Sequence, residues 1–374
     1  MKWSPEREAR AGLCAIQAQA HAGLAALVAS HGANEIWRTL RSAPRESRFG
    51  RKARCIRVDS LIAATEHYGL RFLIPSDEDW PEALAGLDSM QPVGGMAGAP
   101  FGLWTSGPGS LGAWSDRAVA IVGSRASTSY GDMAAADLAY DLAAEGWTIV
   151  SGGAYGIDLQ SHRSALAAGG QTIAVLANGL DQRYPRGNTA VLDRIAAAGL
   201  LVSEMPPGAN PTRPGFLARN RIIAALSAGT IVVEASARSG ARNTATWAGG
   251  LGRIVMAVPG PVTSASSVTP HRLIRDGEAT LVAGAMDARS LLEPLGKGPR
   301  LPVGGEERPL DGLSPSELTV RESLPGRGTR SAGEVALVTG LDLPTCLATL
   351  GELEMKGLVS STEDGRWRLL RPAG

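Results

Sequence analysis

The chain has 374 residues, 44% of them hydrophobic, and a formal net charge of +1. A chain of this length is too long for one small core, so we expect two or three domains. Its three cysteines, Cys14, Cys55 and Cys346, lie far apart and in no metal-ligand spacing, which argues against a zinc site and a disulfide framework. There is no apolar run long enough to span a membrane and no signal-peptide pattern, so we expect a cytoplasmic protein without a membrane partner. The small net charge excludes a uniformly basic coat but not a local basic site.

Residues 1–70 are predicted to form a helical N-terminal domain of the SAM-like kind, because apolar residues recur there at helical spacing. A cluster of Arg and Lys lies between residues 41 and 54, and a solvated loop explains it at least as well as a nucleic-acid contact. Residues 71–117 are rich in Gly, Pro and Trp. We expect them to connect the first domain to the next one and to pack against it.

From 118 to 295 the chain alternates short apolar runs with amphipathic windows. We predict strands at 118–122, 147–150, 171–176, 200–203, 230–235 and 254–258, with a weaker one near 280–283. We predict helices at 131–145, 157–169, 188–198, 216–228, 241–251 and 269–276. Continuous apolar strands joined by helices predict an α/β fold with a doubly wound, mostly parallel sheet covered on both faces. Ligands of such sheets bind beyond the carboxyl ends of the strands.

Two of the predicted strands end in glycine-rich turns. The first is followed by Gly123, Ser124 and Arg125, and the second by Ser151, Gly152, Gly153, Ala154, Tyr155 and Gly156. The free amides of a helix N-terminus and the helix dipole favour an anion, and Arg125 adds a forked cation. The alternative is that these glycines only make tight turns. The pair of turns with an embedded arginine favours a phosphate-binding edge.

Further cations and amides follow the later strands. Arg186 and Asn188 precede one predicted helix, and Ser239 and Gly240 follow the fifth strand. Arg219, Asn220 and Arg221 lie in the first turns of the helix that begins at 216. Because the carboxyl ends of parallel strands meet at one edge, we expect the arginines to converge there. The four are Arg125, Arg186, Arg219 and Arg221. Arginines on several loops suit a ligand with several phosphates, such as a nucleic-acid backbone.

Motifs for catalysis are absent from the sequence. It contains no nucleophile elbow, no HExxH and no Walker A sequence. His162 follows Asp158 by four residues on a predicted helix, and such a pair is more often buried and satisfied than catalytic. We therefore predict no catalytic residue, no metal and no cofactor.

The remainder of the chain is predicted as a linker at 296–312 and a separate domain at 313–374. Helices at 313–324, 331–339 and 343–356 followed by a hairpin of 358–361 and 366–370 predict a winged helix. The candidate recognition helix is poor in Arg and Lys and contains Glu352 and Glu354. This composition favours protein contacts over reading a DNA groove.

The motifs of the central region are similar, in order and spacing, to those of one known family. They are Ile-Val-Gly-Ser-Arg (121–125), Ser-Gly-Gly-Ala-Tyr-Gly-Ile-Asp (151–158), Tyr-Pro (184–185), Ser-Glu-Met-Pro-Pro-Gly (203–208), Arg-Asn-Arg-Ile-Ile-Ala (219–224) and Ala-Val-Pro-Gly (257–260). They resemble the DprA/Smf family of DNA-processing proteins. The resemblance implies an extended Rossmann fold that binds single-stranded DNA in a basic pocket. It also implies protection of incoming DNA and loading of RecA during natural transformation, usually by a homodimer, with single-strand-binding protein as a further candidate partner. The implied DNA contacts are Arg125, Arg186, Arg219 and Arg221.

The sequence departs from the family pattern at several positions. Tyr155 stands where a cation is common, and its ring offers a surface for base stacking. Ala241, Arg242 and Asn243 replace a more apolar run, and the residues at 216–218 replace a more basic one. The alternative function is a nucleotide-processing enzyme of the lysine-decarboxylase-like phosphoribohydrolase group. Those enzymes carry Pro-Gly-Gly-x-Gly-Thr after the fifth strand, where this chain has Glu-Ala-Ser-Ala-Arg-Ser-Gly (234–240). A weaker third reading is a duplex-binding regulator that works through residues 313–372.

Overall fold

The computed structural model describes residues 3–44, 46–294, 298, 310 and 312–370. The chain divides into two compact units, residues 1–301 and residues 302–374. The predicted linker 296–312 lies outside the described residues except for Gly298, Leu310 and Gly312. The two units are described in turn.

The first unit begins with five helices: α1 (Pro5–Ala15), α2 (Ala22–His31), α3 (Ala33–Ser42), α4 (Arg48–Cys55) and α5 (Val58–His67). The Ser4 hydroxyl caps α1 by accepting the Arg7 amide hydrogen, and Pro5 occupies the first turn, where its missing N–H costs no hydrogen bond. Trp37 of α3 packs on α1 at Gly12, where a Cβ would lie 2.4 Å from the indole ring. The two helices approach closely because this position has no side chain.

Two cations of the basic cluster between 41 and 54 are engaged within the fold. Lys52 donates to the Ile16 carbonyl at 2.8 Å, and Arg54 donates to the Ala43 carbonyl. These contacts tie α4 to its neighbouring segments. The predicted loop is wrong over residues 48–55, which form α4, while Arg41, Arg48 and Arg51 are exposed.

A nine-stranded sheet forms the centre of the first unit. Its strands are β1 (Arg71–Leu73), β2 (Leu103–Ser106), β3 (Ala118–Val122), β4 (Thr148–Ser151), β5 (Thr172–Leu176), β6 (Leu200–Ser203), β7 (Gly229–Val232), β8 (Ile254–Ala257) and β9 (Thr280–Leu281). They lie in the order β1-β2-β6-β5-β4-β3-β7-β8-β9. Strands β3 to β9 are parallel, whereas β1 and β2 are antiparallel at one edge.

Helices cover both faces of this sheet. They are α6 (Gly86–Ser89), α7 (Leu111–Ser115), α8 (Ser129–Ala144), α9 (Ile157–Ala167), α10 (Thr189–Ala198), α11 (Arg213–Ala225), α12 (Ala241–Gly250), α13 (Val268–Arg275) and α14 (Ala285–Leu292). In β3, Ala118, Ala120 and Val122 belong to one buried cluster, while Val119 and Ile121 belong to another on the opposite face. The predicted α/β class and the doubly wound, Rossmann-like, mostly parallel sheet are therefore confirmed.

Residues 71–117, which we expected to connect and to pack, also add strands to the sheet. Trp104 of β2 is fully buried, and its indole N–H donates to the Thr65 hydroxyl at 3.0 Å. Its ring lies 4.3 Å from that of Phe72 in β1. Sequence patterns missed these strands because each has only three or four residues within a segment rich in Gly and Pro.

The second unit contains α15 (Pro315–Ser323), β10 (Arg330–Ser331), α16 (Ala332–Thr339), α17 (Leu343–Met355), β11 (Val359–Ser361) and β12 (Arg366–Leu369). The three strands form an antiparallel sheet in the order β10-β12-β11. Capping boxes at Ser314 with Glu317 and at Ser331 with Glu334 begin the first two helices. The predicted three helices and hairpin are present, and β10 is additional. The assignment of the unit as a winged helix stays a prediction.

No single helix of the described residues is long and apolar enough to cross a membrane. Helices α16 and α17 meet the length and composition criterion only as a pair, and their axes are bent by 109°.

Candidate functional site

The direction of winding reverses at β3, because the chain proceeds from β3 to β6 on one side of the sheet and from β7 to β9 on the other. Open α/β sheets bind ligands beyond the carboxyl ends of the strands at such a point. A cleft of about 720 Å³ lies there, between the turns that follow β3 and β7 and the first turns of α11. The predicted site residues that line this cleft are Gly123, Ser124, Arg125, Arg219, Asn220, Ser239 and Gly240.

Carboxylates of the chain lie at both turns and accept an amide hydrogen at each, which we did not expect. At the start of α8, Glu234 accepts from the Thr128 amide at 2.9 Å and from the Thr128 hydroxyl at 2.7 Å. In the first turn of α9, Asp158 accepts from the Ala154 amide at 3.4 Å. Burial raises the pKa of Asp158, and the charge of Arg219 opposes that rise. An anionic ligand in this cleft is therefore attracted by arginines rather than by the helix N-termini.

Arg219 is the buried cation of the cleft. Only 7% of its surface is exposed, and one guanidinium nitrogen donates to the Val175 carbonyl at 3.0 Å. The guanidinium lies against Gly152, where a Cβ would be 1.5 Å from Nη1. Among the described residues, Nε has no hydrogen-bond partner. Burial lowers the pKa of Arg219 to about 10, so the side chain stays charged at neutral pH.

Arg125 is an exposed cation of the cleft. Its guanidinium lies 4.7 Å from the centroid of the Phe216 ring, in cation–π geometry. Within the described part of the chain, no hydrogen bond or ion pair engages the Arg125 side chain. The ring orients the guanidinium, and its donors stay available for a phosphate.

Aromatic rings surround a smaller pocket of about 60 Å³, which shares Arg125, Ala154 and Phe216 with the cleft. Tyr155 and Tyr184 line it and are both partly exposed. The Tyr184 and Phe216 rings are 6.2 Å apart between centroids. The predicted residues that also line this pocket are Gly152, Gly153 and Tyr155. Exposed rings beside free cations form a surface that can stack bases and bind their phosphates.

Arg221 does not reach the cleft, which corrects our expectation that four arginines converge. It is fully buried and forms two 2.8 Å bonds to the Glu204 carboxylate. Its remaining contacts are to the Gly98 carbonyl at 2.9 Å and the Ala218 carbonyl at 2.8 Å. Positions two apart on a helix point about 200° away from each other, so Arg219 and Arg221 cannot share a face.

Three other predicted residues shape the turns from inside. Ser151 is buried and its hydroxyl donates to the Ile121 carbonyl at 2.6 Å. Asn188 is buried and its amide donates to the Gly153 carbonyl at 3.0 Å. Gly156 has φ +74°, and a Cβ there would lie 2.3 Å from the Ser124 carbonyl oxygen. These residues hold the two turns against each other and do not present a polar group to the cleft.

Arg186 is exposed on the 3₁₀ turn Arg186–Asn188. It lines neither the cleft nor the smaller pocket. Its side chain extends from the loop that carries Tyr184, so it stays a candidate contact outside the cleft rather than a member of it.

Four cationic or aromatic residues that our sequence reasoning did not assign to the site line the cleft or the pocket. Arg213, the first residue of α11, and Arg238, after β7, are exposed cations of the cleft. Phe216 and Tyr184 are aromatic rings of the pocket. An aromatic residue beside an arginine in a loop at the carboxyl edge is the sequence signal that could have found them.

His162 is buried, as expected, but its partner differs from the expected one. Its Nδ1 lies 2.7 Å from the Thr172 hydroxyl, and burial lowers its pKa to about 3. The ring is therefore neutral. Over the described ranges, no group of three or more His, Cys, Asp or Glu side chains is arranged to hold a metal ion.

The fold and the cleft define a Rossmann-like protein with a basic cleft and aromatic rings at its topological switch point. Residues 71–293 match the family model of DNA recombination-mediator protein A, and the chain belongs to this family.

Relatives and solved structures agree with this assignment. The chain is 47% identical over 311 residues to a putative DNA processing protein DprA from Mycobacterium tuberculosis H37Rv, which covers 81% of this chain and 78% of that protein. It is 36% identical over 346 residues to protein Smf from Escherichia coli K12, an alignment that covers 89% of this chain and 85% of that protein.

The DNA processing protein A structure from Streptococcus pneumoniae has a TM-score of 0.64 and 31% identity, covering 79% of this chain and all of that one. The Helicobacter pylori DNA processing protein A structure, described as binding single-stranded DNA, has a TM-score of 0.51 and 30% identity, covering 59% and 94%.

Proposed function

We propose that this protein binds single-stranded DNA without catalysis, protects incoming strands and loads RecA onto them during natural transformation. The observation that carries the proposal is the guanidinium of Arg125 on the Phe216 ring, beside the buried charge of Arg219. Membership of the recombination-mediator family, and the single-stranded DNA named for the Helicobacter pylori relative, support the same function.

The chemistry of the cleft favours a single strand over a duplex. Tyr155, Tyr184 and Phe216 can stack on bases only when these are unpaired. Arg125 and Arg219 supply charge for the phosphates between them. The site offers few groups that could read base edges, so we expect little sequence preference.

We propose that the cleft performs no catalysis. Its nearby carboxylates, Glu234 and Asp158, are held by the Thr128 and Ala154 amides and serve the turns. A phosphoribohydrolase would need a carboxylate free to act on a nucleotide. We therefore favour the binding function over the nucleotide-processing alternative.

The expected partners are RecA, single-strand-binding protein and a second copy of this chain in a homodimer, in the cytoplasm. RecA loading can be measured with single-stranded DNA coated by single-strand-binding protein. Addition of this protein should speed ATP hydrolysis by RecA on that DNA, and Arg125→Ala should reduce the gain. An equal gain from both proteins would contradict loading through the cleft. Sedimentation measures the homodimer separately.

The binding function is tested by fluorescence anisotropy with labelled oligo-dT, a blunt duplex of equal length and thymidine monophosphate. We expect the tightest binding to oligo-dT. With two to four phosphate contacts, the logarithm of the binding constant should fall against the logarithm of salt concentration with a slope of roughly −1.4 to −2.8. Equal or tighter binding to the duplex, or binding that salt does not change, would contradict the proposal.

A further inference from the structure

Two helices of the second unit expose large apolar side chains. Leu337 of α16 is 86% exposed and Met355 of α17 is 84% exposed. Val338, Leu343 and Leu347 are exposed as well. The buried core of the unit is made by other side chains: Val320, Leu324, Val335, Cys346, Leu350, Leu353, Leu358 and Val359. The fold of this unit does not need the exposed five for its core.

These side chains are grouped along the two helices. On α17, Leu343, Leu347 and Met355 recur at multiples of four residues, a spacing that keeps them on one side of the helix. Leu337 and Val338 lie in the last turn of α16, just before the bend that leads into α17. We call these five residues the α16–α17 face.

Cations flank the two helices but are engaged elsewhere, since Arg330 donates to the Ser323 carbonyl and Lys356 pairs with Glu317. Residues 331–355 contain no Lys or Arg, and their acidic residues are Glu334, Asp342, Glu352 and Glu354. Glu334 pairs with Arg366, and Glu354 accepts from Ser361. Asp342 caps α17 by accepting from the Thr345 amide and hydroxyl, and Glu352 lies one helical turn before Met355, at the edge of the stripe; both are exposed. The face is therefore apolar with an acidic border.

This border decides between possible occupants. DNA phosphates and anionic lipid headgroups would meet like charge at Asp342 and Glu352. A second copy of the same face would bring the same acids into contact. A segment with apolar side chains and neighbouring Lys or Arg would satisfy both parts of the surface.

We propose that the α16–α17 face is a docking surface for an amphipathic helix of a protein partner with an apolar stripe and basic flanks. Its apolar side covers Leu337, Leu347 and Met355, and its cations meet Asp342 and Glu352. The proposal is independent of DNA binding, because it rests on residues of the second unit alone.

The test uses the full chain and two fluorescein-labelled synthetic peptides of Leu and Lys, or of Leu and Glu, at the same helical spacing. We expect the Leu/Lys peptide to bind and the Leu/Glu peptide not to bind. The double variant Leu347→Ser, Met355→Ser should weaken the Leu/Lys complex at least tenfold. Leu281→Ser is the matched control, because Leu281 and Leu347 are each 47% exposed and Leu281 lies in the first unit. The control should bind like the parent protein.

Circular dichroism melting should be unchanged in the double variant, since the substituted side chains are exposed. If the melting temperature changes, the double variant Asp342→Asn, Glu352→Gln is used instead, and we expect the same tenfold loss of affinity for the Leu/Lys peptide. The proposal would be overturned by equal binding of the two peptides, by no loss in the variants, or by a chain that sediments as a dimer only when Leu347 and Met355 are intact. Binding to vesicles of anionic lipid that the double variant loses would also overturn it.

Discussion

Arg219 and Arg221 show how a difference of two positions on a helix separates a side chain that lines the cleft from one that serves the packing. Both residues lie on α11. Arg219 lines the cleft, and its buried Nε has no hydrogen-bond partner among the described residues. Arg221 instead donates hydrogen bonds to the Glu204 carboxylate and to two backbone carbonyls. A buried arginine with a bidentate carboxylate partner stabilises the packing around it only while both partners are present. The same residue type on one helix therefore lies in two different environments.

Arg125→Ala should weaken oligo-dT binding about ten- to hundredfold, since one charge-assisted phosphate contact contributes on the order of 1.5–3 kcal/mol. The melting temperature should not change, because Arg125 is exposed. Arg163→Ala on α9 is the control, as Arg163 is exposed and outside the cleft. Equal affinities of the two variants in anisotropy titrations would make Arg125 dispensable.

Arg221→Ala should destabilise the protein by about 3–5 kcal/mol in urea unfolding, because Glu204 would be left buried without its partner. Replacing both partners by apolar residues, Arg221→Met with Glu204→Leu, should cost less than the single change. If the single variant unfolds like the parent protein but loses DNA affinity, Arg221 binds DNA after all.

His162 makes stability depend on pH. Its pKa is about 3 in the folded protein against 6.5 when unfolded, so the unfolded chain binds the extra proton between these values. The free energy of unfolding should therefore fall by about 1.4 kcal/mol per unit as pH decreases from 6.5 towards 3. Urea unfolding between pH 7 and pH 4 should show a shallower fall in His162→Gln. Identical slopes would mean that His162 does not contribute.

At the scale of elements, the N-terminus of α8 is bound by a carboxylate that follows β7, across the topological switch point of the sheet. Glu234 follows β7 and binds Thr128 at the helix start, which links the two elements that border the cleft. A negative charge at a helix N-terminus stabilises it by about 0.3–2 kcal/mol. The positive end of the α8 dipole therefore already has a negative charge from the protein beside it.

Glu234→Gln should lower the free energy of unfolding by about that amount, because the carboxylate charge at α8 is lost. Oligo-dT affinity should not fall, since the arginines rather than the α8 amides attract the phosphates. Chemical denaturation and anisotropy measure the two effects on one sample. A tenfold loss of affinity with unchanged stability would restore the α8 N-terminus as a phosphate site.

At the scale of the whole molecule, DNA binding should belong to the first unit. All residues of the cleft and the pocket lie within residues 1–301, a compact unit with its own buried clusters. A chain truncated after residue 301 should keep oligo-dT affinity to within tenfold, about 1.4 kcal/mol. A hundredfold loss of oligo-dT affinity in the same titration would show that residues 302–374 contribute to DNA binding.

The sequence by itself determined the order of elements and the edge of the sheet where the site lies. Apolar periodicity is local, so it predicted β3 to β8 and their helices, and the Gly-Ser-Arg turn indicated the carboxyl edge. Only the tertiary structure decided which side chains face the cleft. Two contacts show this: the Phe216 ring lies against the Arg125 guanidinium, and the Glu204 carboxylate pairs with Arg221. In each contact the two residues are far apart in the sequence. Such contacts depend on how helices rotate as they pack, which local periodicity does not encode.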